Sequence, residues 1–249
     1  MSAEKSLAIV LRTIEFSETS VVATLFTEKF GKISALAKGA RRPKGPFESA
    51  LDLLAVVRIV FLHKSSDALD LLTEAKLERR FRGAARDLSR LYAGYYVAEL
   101  LTELTDAGDP HADLFSAADR TLARLEGDAS VAATVLDFEL TALRLLGHLP
   151  SLCDCVGCGN PVEADGRVAF GLVAGGVLCS SCRPGQRQVV SISAAALVAM
   201  RKLTEETELK EPTELEPKIR GELRGILGSY LAHLLGHKPK MHDYLRTLA

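Results

Sequence analysis

Five cysteines fall within thirty residues of this 249-residue chain: Cys153, Cys155, Cys158, Cys179 and Cys182. Two pairs have a two-residue gap, Cys155-Val156-Gly157-Cys158 and Cys179-Ser180-Ser181-Cys182, and twenty residues separate the pairs. This is the C-x2-C, linker, C-x2-C spacing of a zinc site, at the upper end of its range. Each short knuckle can aim two thiolates at one point, and the intervening residues can fold as a small hairpin that brings the knuckles into a tetrahedron. Gly159 behind the first knuckle, and Gly175-Gly176 ahead of Val177-Leu178, suit the turns this requires. Four thiolates with no His or carboxylate leave no coordination position for water, so the spacing predicts a structural zinc, one per chain. Disulfides compete only in an oxidising compartment, and a redox C-x-x-C is expected beside a βαβ pattern that the sequence lacks. Cys153 could replace Cys155 in a knuckle with a four-residue gap. The two-residue gap is commoner, which makes Cys155 the ligand and Cys153 a spare thiol.

A second constellation is electrostatic. Between Lys29 and Phe47 stand six basic residues, Lys29, Lys32, Lys38, Arg41, Arg42 and Lys44, and no acidic one. The segment Lys38-Gly39-Ala40-Arg41-Arg42-Pro43-Lys44-Gly45-Pro46 is rich in Gly and Pro and reads as a loop. Unopposed cations on a loop suit it to tracking phosphates, which Arg41 and Arg42 can grip bidentately; a solvated surface loop is the plainer alternative. Charge along the chain leans toward phosphate. Residues 1–83 hold fourteen Lys/Arg against ten Asp/Glu and residues 84–150 five against eleven, so net +4 is followed by net −6. That asymmetry points to a polyanion contact at the N-terminal end. With no Trp, five Tyr and nine Phe, backbone contact is expected over base stacking, and with it little sequence preference. Phe30 and Phe47, which flank the loop, are assigned to the core.

The elements that must position these groups follow from periodicity. Residues 7–13, 21–27, 33–37, 51–62 and 69–77 read as five short strands, with Gly31 turning a hairpin between the second and third. Five antiparallel strands in so short a span fit a small closed barrel of the oligonucleotide-binding (OB) type, since closure removes exposed edges. From Ala84 the period changes, and Leu88, Leu91, Tyr92, Tyr95, Leu100, Leu101 and Leu104 recur at helical spacing. Helices are also expected over 112–125, 129–146, 193–204 and 217–235, the last with Pro217 in its first turn. The fold class expected is therefore α+β. An OB-type barrel suited to nucleic acid is expected over 1–80, and a helical domain over 81–249 with the zinc-binding stretch at about 150–190.

An enzyme would need a nucleophile or a phosphate cradle, and the sequence has no G-x-x-x-x-G-K-[ST], G-x-S-x-G or H-E-x-x-H motif. His233 and His237 share a helical face, yet no third ligand accompanies them, and they read as surface residues. No run approaches the roughly 18 apolar residues of a membrane span, and Met1-Ser2-Ala3-Glu4-Lys5 does not open a signal peptide, so a cytoplasmic location is expected. A non-enzymatic binding protein fits best, with an RNA-binding or translation-associated barrel as the alternative.

The chain also resembles a known family, the RecO recombination mediators of bacteria. The resemblance rests on Gly31-Lys32 followed by Lys38-Gly39-Ala40-Arg41-Arg42, on the helix start near 91–99, and on Gly147-His148-Leu149-Pro150 leading to Cys155/Cys158 and Cys179/Cys182. It touches most of the chain from 7 to 185. Cys153 departs from the family pattern. Membership implies an OB barrel, a helical domain with an inserted zinc ribbon, and a role in recombinational DNA repair. It also implies binding of single- and double-stranded DNA, annealing of complementary strands, and joint action with RecR to help RecA replace single-strand-binding protein, with RecF as a further partner. Some relatives lack the cysteines, which implies a structural role for the metal.

Overall fold

The computed structural model describes residues 2–42, 47, 50–63, 69–205 and 214–245. The protein is α+β, and its chain divides into two compact units, Met1–Gly127 and Asp128–Ala249.

Strands β1 (Ala3–Glu15), β2 (Val21–Thr27), β3 (Gly31–Ala37), β4 (Val56–Leu62) and β5 (Asp70–Arg79) build the first unit's barrel. They close in the order β1-β2-β3-β5-β4; among the described residues β3 pairs with β5 in parallel, in place of the all-antiparallel barrel expected from the sequence, and the other strand pairs of the barrel are antiparallel. Closure depends on β1, whose thirteen residues pair with β4 through Ala3–Ile9 and with β2 through Ala8–Glu15. A register shift between Val10 and Arg12 bends it from one neighbour to the other. Alternate residues point inward, and Ala8, Val10, Ala23, Leu25, Ala35, Val57, Ile59, Phe61 and Leu72 fill the interior. Small residues predominate because a five-stranded barrel is narrow.

Gly31 turns the β2–β3 hairpin at φ +64°, and a Cβ there would lie 2.1 Å from the Asp109 carbonyl oxygen. The turn needs glycine both for its left-handed backbone and for this approach. The fourth strand is shorter than the expected 51–62. Leu54 has φ +65°, and it donates its amide to Val10 O (2.8 Å) while Ala55 O accepts from Val10 N (3.0 Å). The segment is thereby folded back over the β1 bend. Ala50, Leu54 and Ala55 are buried, so apolarity that reads as strand is a core plug made of turns.

Helix α1 (Leu88–Leu104) starts at Asp87, whose carboxylate accepts the Arg90 amide (3.0 Å), and α2 (Ala112–Glu126) follows. The α1 face differs from the expected one. Leu100 and Leu101 are buried, but Leu88 is 60% exposed, and Ala93, Gly94, Tyr96, Val97 and Ala98 complete the buried surface. Where the helix meets Leu54 it needs glycine: a Cβ on Gly94 would lie 2.6 Å from Leu54 Cδ1. The buried face thus mixes large residues with the small Ala93, Gly94 and Ala98 that permit close approach.

The second unit contains α3 (Val131–Leu145), a three-stranded sheet, α4 (Ala194–Glu205), α5 (Pro217–Leu235) and the short α6 (His242–Leu245). Ser130 caps α3, Pro217 opens α5, and Gly236 ends α5 at φ +76°. The sheet has the order β7-β6-β8, from β6 (Arg167–Gly171), β7 (Gly176–Leu178) and β8 (Val189–Ser193). The β6–β7 hairpin is the one the cysteine spacing called for; β8 was not foreseen. No described helix is long and apolar enough to cross a membrane.

Candidate metal centre and nucleic-acid interface

The β6–β7 hairpin brings the two knuckles together. Val156 N donates to Val177 O (3.1 Å), and Ser151 and Val177 are joined by a 2.9 Å bond. Gly176, at φ +157°, passes so close to Ser151 that a Cβ would meet its carbonyl oxygen at 2.4 Å. Within the knuckles, Gly159 N donates to Cys155 O (2.8 Å) and Arg183 N to Cys179 O (3.0 Å). The Arg201 guanidinium of α4 donates to Leu152 O (2.8 Å) and Val162 O (2.7 Å), tying the first knuckle down on both sides. The small sheet is also tied to α5 by Glu222, which accepts from the Ser193 amide (2.8 Å) and hydroxyl (2.5 Å) and from Arg167 (3.3 Å).

The sulfurs of Cys155, Cys158, Cys179 and Cys182 all lie within 4.8 Å of one another. Cys158 and Cys179 are 3.8 Å apart. A regular tetrahedron with zinc–sulfur arms of about 2.3 Å has edges of about 3.8 Å, so the observed spacing fits that ion. Cys153 is exposed and its sulfur is outside the cluster; its carbonyl accepts from Val162 N (2.8 Å). The knuckle register is thus the two-residue one. Amides add to the fit. Hydrogen bonds from the Cys179 amide, at 3.3 Å, and then the Gly157 amide bring the Cys155 thiol down to about 6, favouring thiolate. Hydrogen bonds to Cys179, Cys158 and Cys155 push the Cys182 thiol up to about 12. Sulfurs so crowded share protons unless a cation balances their charge. Gly157 leaves the space, since a Cβ there would lie 3.0 Å from Cys182 Cβ. The four cysteines could hold one metal ion, with no ligand position left over.

Of the six cations clustered in sequence, the five among the described residues divide into two groups in space. Lys29 and Lys32 lie at one end of β3, and Lys38, Arg41 and Arg42 lie beyond the other. Five strand residues, 33–37, lie between Lys32 and Lys38, about 20 Å along the strand. Lys29 is exposed in the β2–β3 turn. Lys32 is half-buried. Its ammonium donates to the Thr102 and Thr105 carbonyls at the C-terminal end of α1, the latter at 2.6 Å. Burial lowers its pKa, against the opposing pull of Asp106 and Glu103. Lys38, Arg41 and Arg42 are exposed on one tight turn, where Arg42 N donates to Gly39 O (3.0 Å). That turn is zipped to the β1–β2 loop: Arg41 N donates to Thr19 O (3.1 Å), and the Arg41 guanidinium pairs with Glu15 at 3.1 Å. Lys44 lies outside the described residues.

Phe30 packs edge-on against Phe61, and Phe47 is buried, as expected of core residues. Phe16 in the β1–β2 loop, at 63% exposure, is an exposed aromatic that the sequence reading missed. The signal available was its position, directly before Ser17-Glu18-Thr19-Ser20 turn chemistry.

A closed OB-type barrel with an exposed basic turn, followed by helices and a four-cysteine cluster, defines a protein of the α+β class. The chain belongs to the RecO family of DNA repair proteins: the family models described as Recombination protein O N terminal and Recombination protein O C terminal match residues 1–81 and 85–243. It is similar to the DNA repair protein RecO of Rhodopirellula baltica, 46% identical over 96% of this chain and 97% of that one. It is also similar to those of Anaeromyxobacter dehalogenans strain 2CP-1 (34% identical, 98% and 96% covered) and Myxococcus xanthus (32%, 96% and 95%).

Proposed function

We propose that the protein is a cytoplasmic, non-enzymatic recombination mediator. It binds single- and double-stranded DNA and anneals complementary strands. With RecR, it helps RecA replace single-strand-binding protein, RecF acts as a further partner, and the protein joins the nucleoid during repair. The observation that carries this reading is the turn Lys38–Arg42 on an OB-type barrel, its cations exposed and fastened beside the β1–β2 loop. Residues 1–80 act as the DNA-binding domain, with Lys29, Lys38, Arg41, Arg42 and Lys44 on phosphates. Residues 81–249 act as the helical domain carrying the insertion at about 150–190. Lys32 contributes by fixing α1 to the barrel, because its ammonium is already engaged with helix carbonyls.

One zinc ion, held by Cys155, Cys158, Cys179 and Cys182, stabilises the ribbon; its role is structural. No covalent chemistry on DNA is assigned to any residue. Annealing of complementary oligonucleotides coated with single-strand-binding protein tests the proposal: the protein should accelerate it, and RecR should modulate it. No acceleration by folded, metal-replete protein that binds DNA would overturn the mediator role. Tighter binding to structured RNA than to single-stranded DNA would favour the RNA-associated alternative.

A further inference from the structure

The DNA-binding reading leaves open what the barrel does with bases, and the outer face of the barrel offers an answer. The outer face is covered at Ile9 of β1 and Phe26 of β2. Ile9 and Phe26 are fully buried, and Phe26 stacks on Phe115 of α2 with centroids 6.4 Å apart. The other half of the same face carries an apolar row running across strands. Ile14 pairs with Val22, Val22 with Leu36, and Leu36 with Leu71. All four point away from the interior, since their strand neighbours Ala23, Ala35, Ala37 and Leu72 fill the core. None of the four is buried, and Ile14 is 46% exposed.

The row ends at chemistry suited to nucleic acid. Phe16 continues the outward alternation of Arg12 and Ile14 past the end of β1, and Lys38 continues that of Leu36 past the end of β3. The Phe16 and Ser17 amides both donate to Ser20 O (3.0 and 3.2 Å), so the loop carrying the ring is closed on itself. Arg41 holds this loop to the basic turn through Thr19 O and Glu15. Glu15 and Glu18 are the acidic groups of the two joined loops, and Lys38, Arg41, Arg42 and the neighbouring Arg12 outnumber them. Exposed apolar surface beside cations is a poor face for water and a good one for an unpaired base attached to a phosphate.

We propose that Phe16 is a base-stacking platform and that the outward row Ile14–Val22–Leu36–Leu71 receives unpaired bases of single-stranded DNA. Lys38, Arg41 and Arg42 hold the strand's phosphates alongside. Duplex DNA, its bases already stacked, engages the cations alone. This inference rests on the DNA-binding reading and adds to it a preference for unpaired strands.

The test uses the full chain. Phe16→Ala should weaken binding of a thirty-nucleotide oligothymidine roughly 5- to 150-fold, the value of about one aromatic–base stack. It should leave duplex affinity and the salt dependence unchanged, since no phosphate contact is lost. The chain has no tryptophan, so Phe16→Trp installs a single tryptophan on the platform, excited selectively over the tyrosines. Its emission should be quenched by oligothymidine and not by duplex. Unquenched emission at saturation, together with unchanged affinity in Phe16→Ala, would overturn the inference. Equal losses on single strands and duplex would also overturn it, as would a Phe16→Ala shift in sedimentation showing that the row joins two copies of the chain. A wild-type protein that binds neither DNA would sink the underlying DNA-binding reading, a distinguishable failure. Phe16 is exposed, so both variants should keep the wild-type circular dichroism.

Discussion

Replacing Cys158 by Ser separates a metal-held ribbon from a ribbon held by packing alone. The four sulfurs lie within 4.8 Å of one another, and the Cys158–Cys179 edge of 3.8 Å already matches a zinc tetrahedron. Little reorganisation is therefore needed on binding. Four-ligand structural zinc sites are worth about 10–16 kcal/mol, so removing one thiolate should forfeit roughly a quarter, about 3 kcal/mol, or roughly 100-fold in affinity. Because that binding energy is also folding energy, the loss should appear in stability, concentrated in the segment around 153–190. Cys153→Ser is the control: its side chain is exposed and outside the cluster, so its effect should stay within about 0.5 kcal/mol. Metal content of protein prepared without a His tag, competition with a chromophoric chelator, and thermal unfolding supply the readouts. Equal effects of Cys153→Ser and Cys158→Ser would refute the register. A metal content near zero in folded, reduced wild type would refute the site.

Two further outcomes follow from other contacts. Lys32→Met should lower stability by about 1–3 kcal/mol, through the lost ammonium bonds to the Thr102 and Thr105 carbonyls, while leaving the salt dependence of DNA binding unchanged. A reduced slope with unchanged melting temperature would return Lys32 to the DNA surface. Glu222 gives a pH signature. Burial raises its carboxyl, but the Ser193 hydroxyl and amide, with Arg167 and Lys218, outweigh burial and leave it below the ordinary value. A depressed folded-state value contributes stability above the unfolded value of about 4.3 and loses it as pH falls through the folded one. Wild type should therefore exceed Glu222→Gln by about 1–2 kcal/mol at neutral pH, with the gap closing below about pH 4. A pH-independent gap in thermal unfolding would contradict this.

Elements whose signal is local were legible in the sequence. The β2 and α5 boundaries, the Gly31 turn and the double knuckle each depend on periodicity, a turn residue or a fixed spacing. Features decided by tertiary contact were not. Segment 50–55 is apolar because it plugs the barrel, so composition alone cannot distinguish it from a strand. The α1 face is chosen by Gly94 meeting Leu54, a contact between residues forty apart in sequence. The basic run was visible as a run, but strand β3 carries Lys29 away from Lys38, Arg41 and Arg42, and Lys32 is drawn to carbonyls of α1. Phe16 gave no periodic signal, since a lone aromatic ahead of a turn is as easily buried as exposed.

The central claim, that the turn after β3 is a main DNA contact, is tested most directly by the salt dependence of binding in an Arg41→Ala/Arg42→Ala variant. Both side chains are exposed, and the Arg41–Glu15 pair is a surface ion pair worth less than about 1 kcal/mol, so the variant should fold normally. Each lost phosphate contact lowers the slope of log K against log salt by about 0.7 on single strands and about 0.9 on duplex. The double variant should therefore lose up to about 1.4 on single strands and about 1.8 on duplex. Affinity should fall about equally for unrelated sequences, because phosphates carry no base information. A folded double variant with wild-type affinity and wild-type slope on both DNA forms would contradict the account and move the contact elsewhere on the chain.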